Sequence, residues 1–173
     1  MVARKRNSLQ EVSRTMFCKA FNQGESFKCA GNSYTMLLPR DITRSCEVVL
    51  EKVAAGAKTP PNAHPTFQQV YIILAGAGEI TIGDETRHVV APAVAFIPIN
   101  THHQVFNSGS VALEYIYVTV WPEGIPRQES EGGWEKVYAD MKDEYAARGY
   151  PVEGNAAAAS PNPARHETQH ENS

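Results

Sequence analysis

Two sets of polar residues at fixed intervals, separated by a strand hairpin, constrain this chain more than any other feature. The first set is Gly56, Asn62, His64, Gln69 and Gly76, with gaps of five, one, four and six residues. The second is Pro92, Pro98, Asn100, His103 and Asn107, with gaps of five, one, two and three. Between them lies GAGEITIGDETRHVV, which reads as a hairpin turning at Gly83-Asp84. Lys58-Thr-Pro-Pro61 is extended, because two prolines fix φ and forbid helix. It delivers Asn62 and His64, which point to one side because they are two residues apart on an extended segment. Gln69 opens the strand QVYIILA. Alternation places Gln69, Tyr71 and Ile73 on one face and Val70, Ile72 and Leu74 on the other. Both faces are apolar after Gln69, which predicts a strand covered on both sides.

These intervals resemble the two signature motifs of the cupin superfamily, G-x5-H-x-H-x3,4-E-x6-G and G-x5-P-x-G-x2-H-x3-N. Every interval matches. Four identities depart: Asn62 stands at the first histidine, Gln69 at the glutamate, and Pro92 and Asn100 at two turn glycines. The resemblance implies an all-β fold, a small cupin barrel of the double-stranded β-helix or jelly-roll type. It also implies pairing into a homodimer, with residues 33–38 or the segment before them at the interface. The superfamily includes metal-dependent dioxygenases, isomerases, epimerases, decarboxylases and lyases, and also ligand-sensing and storage proteins. Fold alone does not choose among them.

The rest of the chain agrees with one small β domain and tails. A chain of 173 residues allows one domain with a real core. The formal charge of −3 gives no basic footprint for nucleic acid. No apolar run approaches the ~18 residues that span a membrane. The basic start, Met1 to Asn7, has no apolar stretch after it and is not a secretory signal. Cys18, Cys29 and Cys46 lack metal-site spacing and read as reduced thiols, so a cytoplasmic protein is expected.

Residues 1–32 are expected to form an N-terminal arm with a short helix starting at the capping box of Ser8. Residues 17–31 show no clear period and are expected to be irregular. The barrel is placed at 33–121, with strands at 33–38, 46–54, 94–97 and 111–120. Residues 122–151 hold a C-terminal amphipathic helix, since Trp134, Val137, Tyr138, Met141 and Tyr145 recur at helical spacing before Gly149 and Pro151. It is expected on the outside of the barrel or against a partner chain. Residues 152–173 read as a disordered tail.

The candidate site follows from the motifs. The barrel reading sends His64 and His103 towards one point, and imidazole is the commonest protein ligand for borderline transition metals. Gln69 is the expected third ligand through its amide oxygen, and Asn62 a weak or outer partner. This set is neutral, which suits Fe, Mn, Zn, Co or Ni better than Mg or Ca. Tyr71 and His103 are the expected catalytic groups, with Tyr71 two residues beyond Gln69 on the cavity face. Glu51 and Glu114 lie on strands whose phase is open; either one facing inwards would serve as a base or restore a carboxylate. Asn107 reads as structural, bonding the turn at Ser108-Gly109. Three functions stay open: a metal-dependent enzyme acting on a small molecule by Lewis-acid or oxygen chemistry, a metal-free acid/base enzyme, or a non-catalytic binding module.

Overall fold

The computed structural model describes residues 16–130 and 133–154. The short helix expected at Ser8 lies outside them, as does the tail beyond residue 154. Ten strands form two antiparallel sheets. In chain order they are β1 (Glu25–Cys29), β2 (Asn32–Leu38), β3 (Cys46–Val53), β4 (Gln68–Ala75), β5 (Ala77–Ile82), β6 (Glu85–Val90), β7 (Ala93–Ile97), β8 (His103–Phe106), β9 (Leu113–Val120) and β10 (Val152–Gly154). The larger sheet has the order β10-β1-β2-β3-β9-β4-β7, and the smaller one β6-β5-β8. Three helices complete the described chain: α1 (Arg40–Thr43), α2 (Arg127–Ser130) and α3 (Gly133–Ala147). No described helix is long and apolar enough to cross a membrane.

The two sheets close on a core of Val53, Tyr71, Ile73, Ile80, Ile97, Val105, Leu113 and Tyr115. These residues come from six strands of both sheets, which is why the motifs only work as a barrel. The expected alternation on β4 is observed: Gln69, Tyr71 and Ile73 are buried. The opposite face differs from expectation. Ile72 is 41% and Leu74 44% exposed, beside Val94 at 70% and Phe96 at 52% on β7. Nothing described in this chain covers that face.

Turn chemistry explains where the motif letters are strict and where they relax. Gly76 has φ +83°, and a Cβ there would sit 2.6 Å from the Ala112 carbonyl oxygen, so only glycine fits. Asn100 stands at a glycine position with φ 57°, a conformation asparagine tolerates. Asn107 is fully buried. Its amide nitrogen donates to the carbonyls of Val53 and Val111, both at 2.8 Å, and its oxygen accepts from the Gly109 N–H at 2.9 Å. It ties three chain segments, as its structural reading anticipates.

The ends of the chain depart from expectation. Residues 25–29 form a strand rather than irregular structure, with Phe27 and Cys29 turned inwards. Val152–Gly154 pairs antiparallel with that strand, and Val152 is buried, so the sheet extends into the segment read as tail. Residues 33–38 lie between β1 and β3, with both backbone edges already paired. Helix α3 packs Tyr138, Met141 and Tyr145 on a second core of Phe27, Cys29, Tyr34, Met36, Val49 and Val152. Tyr138 also donates from its hydroxyl to the Gly154 carbonyl at 2.9 Å. Truncation after residue 151 is therefore expected to lower the melting temperature by several degrees, about 2–4 °C per kcal/mol lost, whereas truncation after residue 154 leaves these contacts intact. Equal melting temperatures for the two truncated proteins would show that the β1–β10 pairing carries no stability.

Candidate functional site

The inward faces of β3, β9 and β4 build the site row by row. One row sets Glu47 beside Thr119 and Thr119 beside Gln69. The next sets Val49, Tyr117 and Tyr71 side by side. The third sets Tyr34 of β2 beside Glu51 and Glu51 beside Tyr115. Beyond it the apolar pair Val53 and Leu113, both fully buried, seals the barrel. The space in front of this seal is a cavity of about 680 Å³, lined by residues from all three rows and by His64, His103 and helix α3.

His64 and His103 come together as their spacing implies, with ring centroids 5.1 Å apart. Asn62 exchanges two backbone hydrogen bonds with His103, which fixes the first motif against β8. The His103 Nδ1 lies 3.0 Å from the Thr101 carbonyl oxygen. A carbonyl only accepts, so Nδ1 carries the proton and Nε2 keeps its lone pair. His64 stacks on Phe67 at 4.2 Å. Both imidazoles are held neutral. Burial first, then the His103 charge and the guanidiniums of Arg148 and Arg40, push the His64 pKa down to about 3. Burial also lowers that of His103, against the Thr101 hydrogen bond.

Gln69 is buried, and its amide nitrogen donates to Thr119 Oγ1 at 3.1 Å. That bond orients the amide oxygen, which accepts from the Tyr71 hydroxyl at 3.3 Å. Tyr71 lies edge-on to His103 with centroids 6.2 Å apart, and burial raises its pKa well above the ordinary value. The phenol is therefore a neutral donor at any physiological pH. Asn62 is engaged elsewhere. Its amide nitrogen donates to Tyr145 Oη at 2.7 Å, and its oxygen accepts from Arg148 at 2.9 Å. Arg148 also donates to the Pro61 carbonyl. Thus α3 clasps the motif segment at the cavity mouth instead of lying apart from the site.

Sequence reasoning left the phase of Glu51 and Glu114 open, and register decides it. Glu114 faces outwards and pairs with Lys52 at 2.9 Å. Glu51 faces inwards, 3% exposed, at the inner end of the cavity. Burial raises its pKa to about 7, although the phenols of Tyr115 and Tyr34 favour the charged form. Its Oε1 and the Tyr115 hydroxyl have no hydrogen-bond partner among the described residues. Arg40, Glu47 and Glu129 went unnoticed in the sequence because they lie outside the motifs. Arg40 Nε donates to Glu47 at 2.7 Å and its guanidinium stacks over Trp121.

The donor set was tested against a transition metal. Among the described residues no group of three or more His, Cys, Asp or Glu is placed to hold one. A metal here rests on two imidazoles and an amide oxygen. Zinc–nitrogen bonds of ~2.0–2.1 Å at a tetrahedral angle put two imidazole centroids about 5 Å apart, which the observed spacing meets. The lone pairs are free of protons, and the Gln69 oxygen faces the cavity. His64, His103 and Gln69 therefore fit such an ion, while Asn62 is occupied by α3.

Glu51 binds a proton more tightly in the folded state than in the unfolded chain. Its contribution is therefore a cost, absent below about pH 4.5, growing as pH rises and complete above about 7. The cost reaches roughly 3 kcal/mol. Glu51→Gln is expected to match wild type in thermal stability near the lower limit and to exceed it by several degrees above the upper one. A difference in melting temperature that does not change with pH would show that Glu51 is not an isolated buried acid.

Comparison with known proteins agrees with this architecture. The sequence profile of the cupin domain family (Cupin_2) matches residues 49–119. An uncharacterised protein of Methanocaldococcus jannaschii, MJ1618, is 34% identical over 64 residues, 37% of this chain; the chain spans about half the length, 51%, of that relative. Among solved structures, a predicted oxalate decarboxylase from Thermotoga maritima superposes with a TM-score of 0.55 at 17% identity, over 61% of this chain and 99% of its own. The cupin domain of Schizosaccharomyces pombe Cnp3 gives a TM-score of 0.50 at 20% identity, over 53% of this chain and 66% of its own. At such identities the likeness concerns the fold. Motif spacing, two-sheet barrel and profile agree that this chain belongs to the cupin superfamily.

Proposed function

We propose that the chain is a metal-dependent cupin enzyme acting on a small organic molecule in the barrel cavity. The observation that carries this reading is the pair of neutral, lone-pair-bearing imidazoles, His64 and His103, whose centroids stand 5.1 Å apart at the cavity wall. With Gln69 they would hold a divalent transition ion such as Fe, Mn, Zn, Co or Ni. Such an ion, when bound by neutral donors, supplies Lewis acidity towards a substrate oxygen or a water.

The remaining work falls to the chain. The Thr101 carbonyl holds the His103 tautomer, so its Nε2 stays an acceptor towards the cavity. Thr119 turns the Gln69 amide so that oxygen rather than nitrogen faces inwards. Tyr71 is a neutral phenol beside His103, placed to donate a hydrogen bond to a substrate oxygen and to return a proton to it. Phe67 behind His64 and the α3 clasp at Asn62 limit water access to the mouth.

The exposed apolar face of β4 and β7, with Ile72, Leu74, Val94 and Phe96, supports a homodimer formed through that face. Phe96→Glu is expected to shift sedimentation from dimer to monomer. A wild-type protein that sediments as a monomer at micromolar concentration would end the proposal.

The metal reading is tested on three proteins in parallel. Wild type is expected to take up one transition ion per chain. His103→Ala removes one of two strong ligands and should lose it. Gln69→Glu adds an anionic oxygen and should tighten retention against a chelator, while weakening Lewis acidity. Wild type that stays metal-free after loading, or His103→Ala that binds as much as wild type, leaves Tyr71 and His103 as a metal-free acid/base pair.

A further inference from the structure

The inner end of the cavity carries an unusual combination. Glu51 is buried beneath the polar rows and directly against the apolar seal of Val53 and Leu113. Tyr34 and Tyr115 stand on either side of it in the sheet register, close enough for cross-strand contact. The carboxylate Oε1 and the Tyr115 hydroxyl both lack a protein partner among the described residues. Buried polar groups in native folds are nearly always bonded, so two orphans side by side in a cavity mark a place built for a ligand. The chemistry of the orphans selects the ligand. A carboxylate accepts only, and a phenol oxygen also accepts, so their complement is a compact group with several N–H donors.

Charge points the same way. Glu47, Glu51, Glu129, Asp140 and Glu144 line the cavity against Arg40 and Arg148. Both guanidiniums already serve acidic neighbours, Arg40 on Glu47 at 2.7 Å and Arg148 on Glu144 at 3.1 Å. Neither is printed on Glu51 among the ion pairs of the cavity, and the groups around Glu51 from every packed element are uncharged at neutrality. They are Cys29 on β1, Tyr34 on β2, Tyr71 on β4, Tyr115 and Tyr117 on β9, and Tyr145 on α3, all with pKa values raised first by burial.

We propose that Glu51, Tyr34 and Tyr115 form a binding site for the primary ammonium group of a small alkylamine. The ammonium occupies the inner end, and the rest of the molecule extends past Tyr71 towards His64 and His103. The site itself needs no metal; only the claim that the amine is the substrate rests on the enzyme reading above. A bound ammonium favours the carboxylate form of Glu51. Below neutral pH, where Glu51 is largely protonated, binding therefore releases its proton, and above it little or none.

The test is calorimetric titration of the whole protein, as purified and after chelation, with n-butylammonium, n-butyltrimethylammonium and butyrate. The expected result is saturable binding of butylammonium alone, the same before and after chelation. At pH 6, titrations in buffers of different ionisation enthalpy should show proton release that vanishes at pH 8. Glu51→Gln should weaken binding at least about tenfold, the loss of a charged acceptor, while its own thermal unfolding reports that it is folded. Tyr115→Phe should weaken it less. Absence of saturable butylammonium binding to wild type overturns the proposal. So does equal affinity for the trimethylammonium analogue, preference for butyrate, or unchanged affinity in folded Glu51→Gln. Binding that survives chelation while the ligand-variant series shows no metal would leave the amine site standing and end the metal reading alone.

Discussion

Strand β9 hydrogen-bonds along its length to β3 on one edge and to β4 on the other. That double pairing decides what the barrel contains. It fixes Tyr115, Tyr117 and Thr119 on the inward face, and through register it brings Glu51, Val49 and Glu47 from one side and Ile73, Tyr71 and Gln69 from the other. A slip of one residue would turn each of these outwards. The cavity is therefore not a gap in a hydrophobic core. It is a ladder of polar rows set on an apolar floor, and each row depends on the same ladder of backbone hydrogen bonds.

Polar groups inside a sheet fold survive only with partners. Along the mouth the condition is met: Gln69 with Thr119 and Tyr71, Arg40 with Glu47, Asn62 with Tyr145 and Arg148. At the floor it is not met, and Glu51 answers by holding its proton into the neutral range. The two ends of the cavity thus differ in kind. One end offers neutral lone pairs from imidazole and amide, and the other offers a carboxylate whose charge depends on what lies beside it.

The motif spacing made the barrel legible, because fixed intervals of turn and strand leave few ways to close a sheet. Period-two alternation placed Gln69 and Tyr71 without help. It could not phase Glu51, since CEVVLEKV carries apolar residues on both faces, and Leu50 is buried on the side opposite Val49. Only pairing with Tyr115 and Tyr34 settles that. Strands β1 and β10 were missed for a related reason. They are short, and each gains its stability from a neighbour far along the chain, which no local pattern records. Helical spacing found α3 but not what it leans on, because periodicity defines a face and not the surface it meets.

The clasp at Asn62 has a consequence for how relatives should be read. Where the cupin motif has a histidine, this chain has an amide that holds Tyr145 and Arg148 of the C-terminal segment. The profile match ends at residue 119, so the partners of that amide lie beyond it. A coordinating position has become a hinge-pin for an appended element, and the shape of the doorway is written in sequence that the shared barrel does not contain. Proteins alike across the barrel but different after it will admit different molecules, however well their motifs align.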